Sequence, residues 1–245
     1  MKIEWQAMLN EVLNVQGSLS NTYNRFYNYS LMNRMLIMMQ GVNEPVATYK
    51  KWQELGRQVR KDEKAKFIVR PIFYKDKKNK KEDAILGGFK MVNSIFGYSS
   101  TDGPEIDFET PEWSKTKALA ELGITLTGFN STDGNAQGYA TIEKQIAINP
   151  VAKYPQKVLF HEIAHIIMGH CGDPERNSGI KEFQAETTAY ICMKELGLDG
   201  FNPDESRAYV QNWLGKNKPT DEEIKQVFKA VDTIINAGMD TEEDN

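Results

Sequence analysis

The segment KVLFHEIAHIIMGH, residues 157–170, sets His161 and His165 four positions apart with Glu162 between them. On a helix, positions i and i+4 share a face. Both ring nitrogens can therefore converge on one Zn²⁺, while Glu162, turned about 100° from His161, can reach the metal's water without ligating. This is the H-E-x-x-H geometry of metallopeptidases, in which the metal acidifies water and the glutamate moves its proton. All 3 histidines of the chain fall between positions 161 and 170, and random placement gives roughly 0.003 expected matches to the pattern. Val158, Leu159, Phe160, Ile163, Ala164, Ile166, Ile167 and Met168 make the segment apolar nearly all round, which predicts a buried helix. Ionisable groups buried there cost on the order of several kcal/mol unless they are paired or bound to metal.

A catalytic zinc needs a third protein ligand and an open position. His170 comes one residue too early for the H-E-x-x-H-x-x-G-x-x-H arrangement, and Met168 stands where its glycine belongs. His170 is read instead as the helix's C-terminal residue, with Gly172 helping the stop. The better donor is the next helix, KEFQAETTAYICMKELG, where Glu182 and Glu186 sit one turn apart on a shared face. Glu186 lies beside Ala185, Ala189 and Tyr190, and a carboxylate in such surroundings needs a strong partner, so Glu186 is the expected third ligand. Glu182 is held in reserve, as a ligand or as a group that orients one. Tyr190, a turn after Glu186, is the candidate oxyanion donor.

Helices and strands must position these groups. Apolar periodicity predicts helices over 3–15, 25–39 and 48–55, then strands over 66–74 and 84–92. Further on it predicts a helix over 114–122, strands over 124–129 and 138–149, and helices over 154–169, 181–196, 204–215 and 220–236. The expected class is α+β in both halves. The stretch TDGPEIDFETPEW, with two prolines and a glycine, reads as a boundary. Domains are therefore expected over 1–103 and 114–239, with a linker over 104–113 and an acidic tail over 240–245.

The formal net charge of −4 hides an asymmetry: 17 basic residues stand against 10 acidic ones up to Gly103, and 13 against 24 beyond it. A +7 half suits a polyanionic partner and a −11 half does not. Lys50, Lys51, Arg57, Arg60, Lys61, Lys64, Lys66 and Arg70 can follow phosphates, while Tyr49, Trp52 and Tyr74 offer faces for bases, the ingredients of a sequence-independent single-strand binder. Trp52 is read as a core anchor ahead of a stacking face, and KDKKNKK, residues 75–81, as a loop tip. Two cysteines, Cys171 and Cys192, imply no disulfide framework. No apolar signal region or membrane span is evident, so a cytoplasmic location is expected.

The residues so assembled resemble a known family. LFHEIAHIIMGH followed by EFQAETTAYIC is similar to the gluzincin peptidase domains of ArdC-type antirestriction proteins and, more distantly, to ImmA/IrrE endopeptidases. NYSLMNRMLIMMQ, then VATYKKWQELGRQVRKDEKAKFIVRP and GGFKMVNSIFGYSSTDG, resemble the single-stranded-DNA-binding domain of the same proteins. Asp62 stands where that family has a glycine in a K-G-E-K turn, and Ala140-Thr141 where it often has Ser-Pro. The resemblance implies a zincin-like C-terminal domain, a third zinc ligand at Glu186, and an antirestriction or DNA-protection protein of a mobile element whose partners are single-stranded DNA and a protein or peptide substrate. Two other readings are carried forward. One is a strand-coating protein with a structural or vestigial zinc; the other is a regulator peptidase that uses its basic half to dock a partner.

Overall fold

A computed structural model describes residues 3–14, 29–75, 84–107, 112–173, 178–198 and 201–239, side chains of 73–75 and 84–87 excepted. The lysine-rich tip over 76–83, the Tyr74 side chain, part of the expected linker and the acidic tail lie outside the described residues. The chain divides into two compact units, one of residues 24–109 and one of residues 1–23 with 110–245. The seam falls inside the expected linker. The first 23 residues, however, group with the C-terminal unit rather than with the expected 1–103 domain.

The reason lies in the stripe on helix α1 (Trp5–Asn14), which buries Met8, Leu9, Val12 and Leu13. It packs on the last helix, α8 (Asp221–Gly238), with Trp5 edge-on to Phe228 at 5.6 Å and the Gln6 amide donating to the Pro219 carbonyl at 2.5 Å. α8 starts at a reciprocal cap between Thr220 and Glu223 and buries Ile224, Val227, Phe228, Val231, Ile234 and Ile235, a helical repeat. The other α-helices among the described residues of this unit are α4 (Lys115–Leu122), α5 (Pro155–Ile167), α6 (Ser178–Glu195) and α7 (Pro203–Lys216). α6 is buried on nearly every side because α5, α7 and α8 all pack against it.

A small sheet completes this unit. Strands β6 (Thr125–Thr127), β7 (Gly138–Ala140) and β8 (Gln145–Ile148) run in the order β6-β8-β7, with β6 parallel and β7 antiparallel to β8. The single strand expected over 138–149 is thus a hairpin. Its turn, Thr141–Lys144, closes on the Lys144 N–H to Thr141 carbonyl bond, with Lys144 left-handed at φ 57°. Alternation alone cannot show such a break.

In the 24–109 unit, β1 (Val46–Thr48), β4 (Ala84–Gly97) and β3 (Lys66–Lys75) form an antiparallel sheet, and β2 (Gln58–Val59) pairs with β5 (Thr101–Asp102). Helix α2 (Leu31–Met39) lies beside β3, and α3 (Tyr49–Glu54) follows β1. The Asn33 amide bonds both N–H and carbonyl of Val69, at 2.8 and 2.9 Å, and the Gln40 amide does the same at Phe67, at 3.0 and 2.9 Å. Two side chains thereby satisfy a strand edge that would otherwise invite pairing. Among the described residues, no helix is long and apolar enough to cross a membrane.

Candidate metal centre

α5 places His161 and His165 on one face and α6 brings acids to meet them. His161 Nε2 lies 3.0 Å from His165 Nε2 and 3.3 Å from Glu182 Oε2, and His165 Nε2 lies 3.5 Å from Glu182 Oε1. Metal–donor bonds of about 2.0–2.1 Å put neighbouring ligands of a tetrahedral ion roughly 3.3 Å apart. The three donors therefore fit one ion, and they are the potential metal cluster found among the described residues. Glu186, the expected third ligand, faces the other nitrogen: its Oε2 lies 3.5 Å from His161 Nδ1, and its Oε1 accepts from Lys157 Nζ at 2.6 Å. Glu182, the expected reserve, occupies the position beside both histidines.

Burial and charge shift the titration of these groups in opposite directions. Burial pulls the His161 imidazole down, yet its hydrogen bonds to the Glu182 and Glu186 carboxylates outweigh it and lift the pKa to about 9. His165 moves the other way, to about 4, through burial and the His161 charge. Glu182 is held low chiefly by its His161 hydrogen bond. Glu186 is also held low, its burial outweighed by His161 and Lys157. Glu162 is buried, and desolvation raises it to about 7 against the pull of His161.

A cleft of about 580 Å³ opens over these groups, walled by β7 on one side and α6 on the other. Gly138 allows that approach: a Cβ there would meet the Val158 side chain at 2.6 Å and the Ala147 carbonyl at 3.0 Å. Strand β8 is paired on both sides, by β6 and β7. The free edge beside the cleft is β7. Tyr190, the expected oxyanion donor, is 2% exposed and its hydroxyl donates to the Leu13 carbonyl at 3.4 Å, turned into the core. Tyr209, which sequence reading passed over, lines a second recess of about 330 Å³ with Lys157, Glu182 and Glu186. α5 ends before the expected residue 169, because Gly169 takes the left-handed conformation at φ 70° and turns the chain. His170 then falls in a 3₁₀ turn rather than at the helix end.

In the other unit the basic residues separate into two kinds. Trp52 is fully buried with its indole N–H on the Phe96 carbonyl at 2.9 Å, so it is an anchor and not a stacking face. Arg57 is also buried: its guanidinium bonds the Thr101 hydroxyl at 2.7 Å and carbonyl at 2.9 Å, reaches the Gly103 and Pro104 carbonyls, and lies over the Tyr98 ring. Neither is available to a strand of DNA. Arg60 is tied to Glu63 at 2.8 Å and to the Ser99 carbonyl at 2.5 Å. Lys50 and Lys51 lie 3.6 and 4.0 Å from Glu54 but stay largely exposed, and Lys61, Lys64 and Arg70 are exposed as well. Tyr49 is 44% exposed.

A model of the N-terminal domain of the anti-restriction factor ArdC matches residues 2–124. The chain belongs to the ArdC family. The crystal structure of the antirestriction ArdC protein from plasmid R388, in its metal-free form, is similar over 97% of this chain and 96% of that one, with TM-score 0.53 and 22% identity. The Mn(II)-bound structure of the same protein matches over 97% and 98%, with TM-score 0.54 and 20% identity. At that identity the likeness is one of fold. No curated protein sequence matches. Within the ArdC-type segment, Asn33, Gln40, Trp52 and Arg57 prove to hold the fold together. Asp62, at the family's turn glycine, adopts φ 68°, the conformation glycine would take freely.

Proposed function

We propose that this chain is a zinc-dependent peptidase of zincin-like type joined to a single-stranded-DNA-binding unit, and that it serves as an antirestriction or DNA-protection protein of a mobile element. The observation that carries the peptidase reading is the convergence of His161, His165 and Glu182 on one point beside the buried Glu162. R388 ArdC is an antirestriction protein by name, and one of its structures holds Mn(II). Two imidazoles and a carboxylate suit Zn²⁺ at least as well, and Zn²⁺ is the ion assigned here.

His161, His165 and Glu182 hold the ion, while Glu186 orients the His161 ring through Nδ1 with Lys157 neutralising its second oxygen. A divalent ion there supplies Lewis acidity toward a carbonyl and toward water. Glu162, buried beside them, takes the proton of the attacking water and returns it to the leaving amine. An extended peptide adds to the β7 edge, its backbone paired along Gly138–Ala140. On the other unit, Lys50, Lys51, Lys61 and Lys64 follow the phosphates and Tyr49 offers a ring to a base.

Glu162→Gln tests this. The variant is expected to keep its metal, to bind single-stranded DNA as before, and to lose about 10²–10⁴-fold in peptide hydrolysis. Full antirestriction by the same variant would favour the strand-coating reading.

A further inference from the structure

We infer that His170 and Gln184 form a relay that reaches from α8 to α5 and fixes which nitrogen of His165 faces the metal position. One acceptor in this chain of bonds cannot change roles. The backbone carbonyl of Glu223, in the first turn of α8, only accepts. The group of Gln184 that meets it at 3.0 Å is therefore the amide NH₂, which also lies 2.9 Å from Gln226 Oε1. That orientation turns Gln184 Oε1 toward His170 Nε2, at 3.2 Å, and an amide oxygen needs a donor. A neutral His170 therefore carries its proton on Nε2. Its Nδ1 is then a lone pair, 3.0 Å from His165 Nδ1, and must receive an N–H from it.

With its proton on Nδ1, His165 presents a bare Nε2 toward His161 and Glu182. The backbone of the turn is pinned as well, since Lys181 Nζ donates to the His170 carbonyl at 3.0 Å and to that of Asp173. Gln184 is fully buried and His170 nearly so, so water does not compete for these bonds. The two candidate ligands are thus oriented by different means, His161 by the Glu186 carboxylate and His165 by a chain through His170 and Gln184 that reaches a main-chain carbonyl. His170 and Gln184 are positioning residues. Their consequence for metal binding rests on the peptidase reading, but the tautomer itself does not.

The test uses the full chain, ¹⁵N-labelled at histidine and stripped of metal with a chelator, observed by two-bond ¹H–¹⁵N correlation. His165 is expected to be protonated at Nδ1 and bare at Nε2, and His170 to be protonated at Nε2. In Gln184→Leu, shown folded by near-UV circular dichroism, the single-tautomer pattern of His165 is expected to be lost. Zn²⁺ affinity, measured by chelator competition, should fall about 10–100-fold there and in His170→Phe. His170→Gln, whose amide oxygen can accept the Nδ1 proton, should recover most of it. A wild-type His165 protonated at Nε2, a His170 protonated at both nitrogens, or an unchanged tautomer in folded Gln184→Leu would overturn the relay. The expected tautomers in a protein that binds no Zn²⁺ would uphold the relay and remove the peptidase reading.

Discussion

Glu182 and Glu186 share a helix face yet meet opposite nitrogens of one histidine, and this division sets the behaviour of the whole centre. Spacing shows both acids to be on the facing side of α6. It cannot show the phase of α6 against α5, which tertiary packing decides, so which acid stands beside both histidines was invisible in the sequence. The H-E-x-x-H group was legible because its geometry is complete within one helix. The protonation of His161 gives a measurable consequence. Metal needs a neutral imidazole, and His161 keeps its proton up to about pH 9. Zn²⁺ affinity is therefore expected to rise about tenfold per pH unit below that point and to level off above it, by chelator competition. Folding of the metal-free protein is linked in the opposite direction. The His161 contribution is complete below the ordinary histidine pKa and is lost as pH rises through about 9. Melting curves of the chelated protein should accordingly fall across that window, and His161→Gln should remove this component.

At the scale of elements, the long helices and the β3–β4 hairpin follow from periodicity, while β1, β2 and β5 are too short to announce themselves. The residues read as DNA contacts show a similar limit. Arg57 and Trp52 sit in a basic, aromatic stretch, but their partners Thr101 and Phe96 lie 44 residues away and no local pattern joins them. Arg57→Ala would leave buried carbonyls without a donor and is expected to cost about 2–4 kcal/mol by denaturant titration. Paired Lys61→Glu and Lys64→Glu substitutions should change stability by less than about 0.5 kcal/mol while weakening single-stranded-DNA binding and flattening its salt dependence. Turn chemistry gives a separate check. Asp62 is left-handed at φ 68°, so Asp62→Gly should raise stability by about 0.5–1 kcal/mol and Asp62→Val lower it by about 1–2 kcal/mol.

For the whole molecule, the charge asymmetry survives when the boundary is drawn by contacts. Residues 24–109 carry 16 basic against 11 acidic residues, and the remainder 14 against 23. The polyanion-binding and hydrolytic roles proposed here thus fall on units of opposite sign. The reassignment of α1 to the acidic unit follows from its apolar stripe, which the sequence displays without displaying its partner, α8. The central claim is a metal held by His161, His165 and Glu182, and elemental analysis of purified wild type, Glu182→Ala and Glu186→Ala tests it most directly. About one zinc per chain is expected in the wild type, little in Glu182→Ala, and retention with about 10–100-fold weaker affinity in Glu186→Ala. Metal kept in full by Glu182→Ala and lost from Glu186→Ala, or no metal in wild type supplied with zinc, would contradict it.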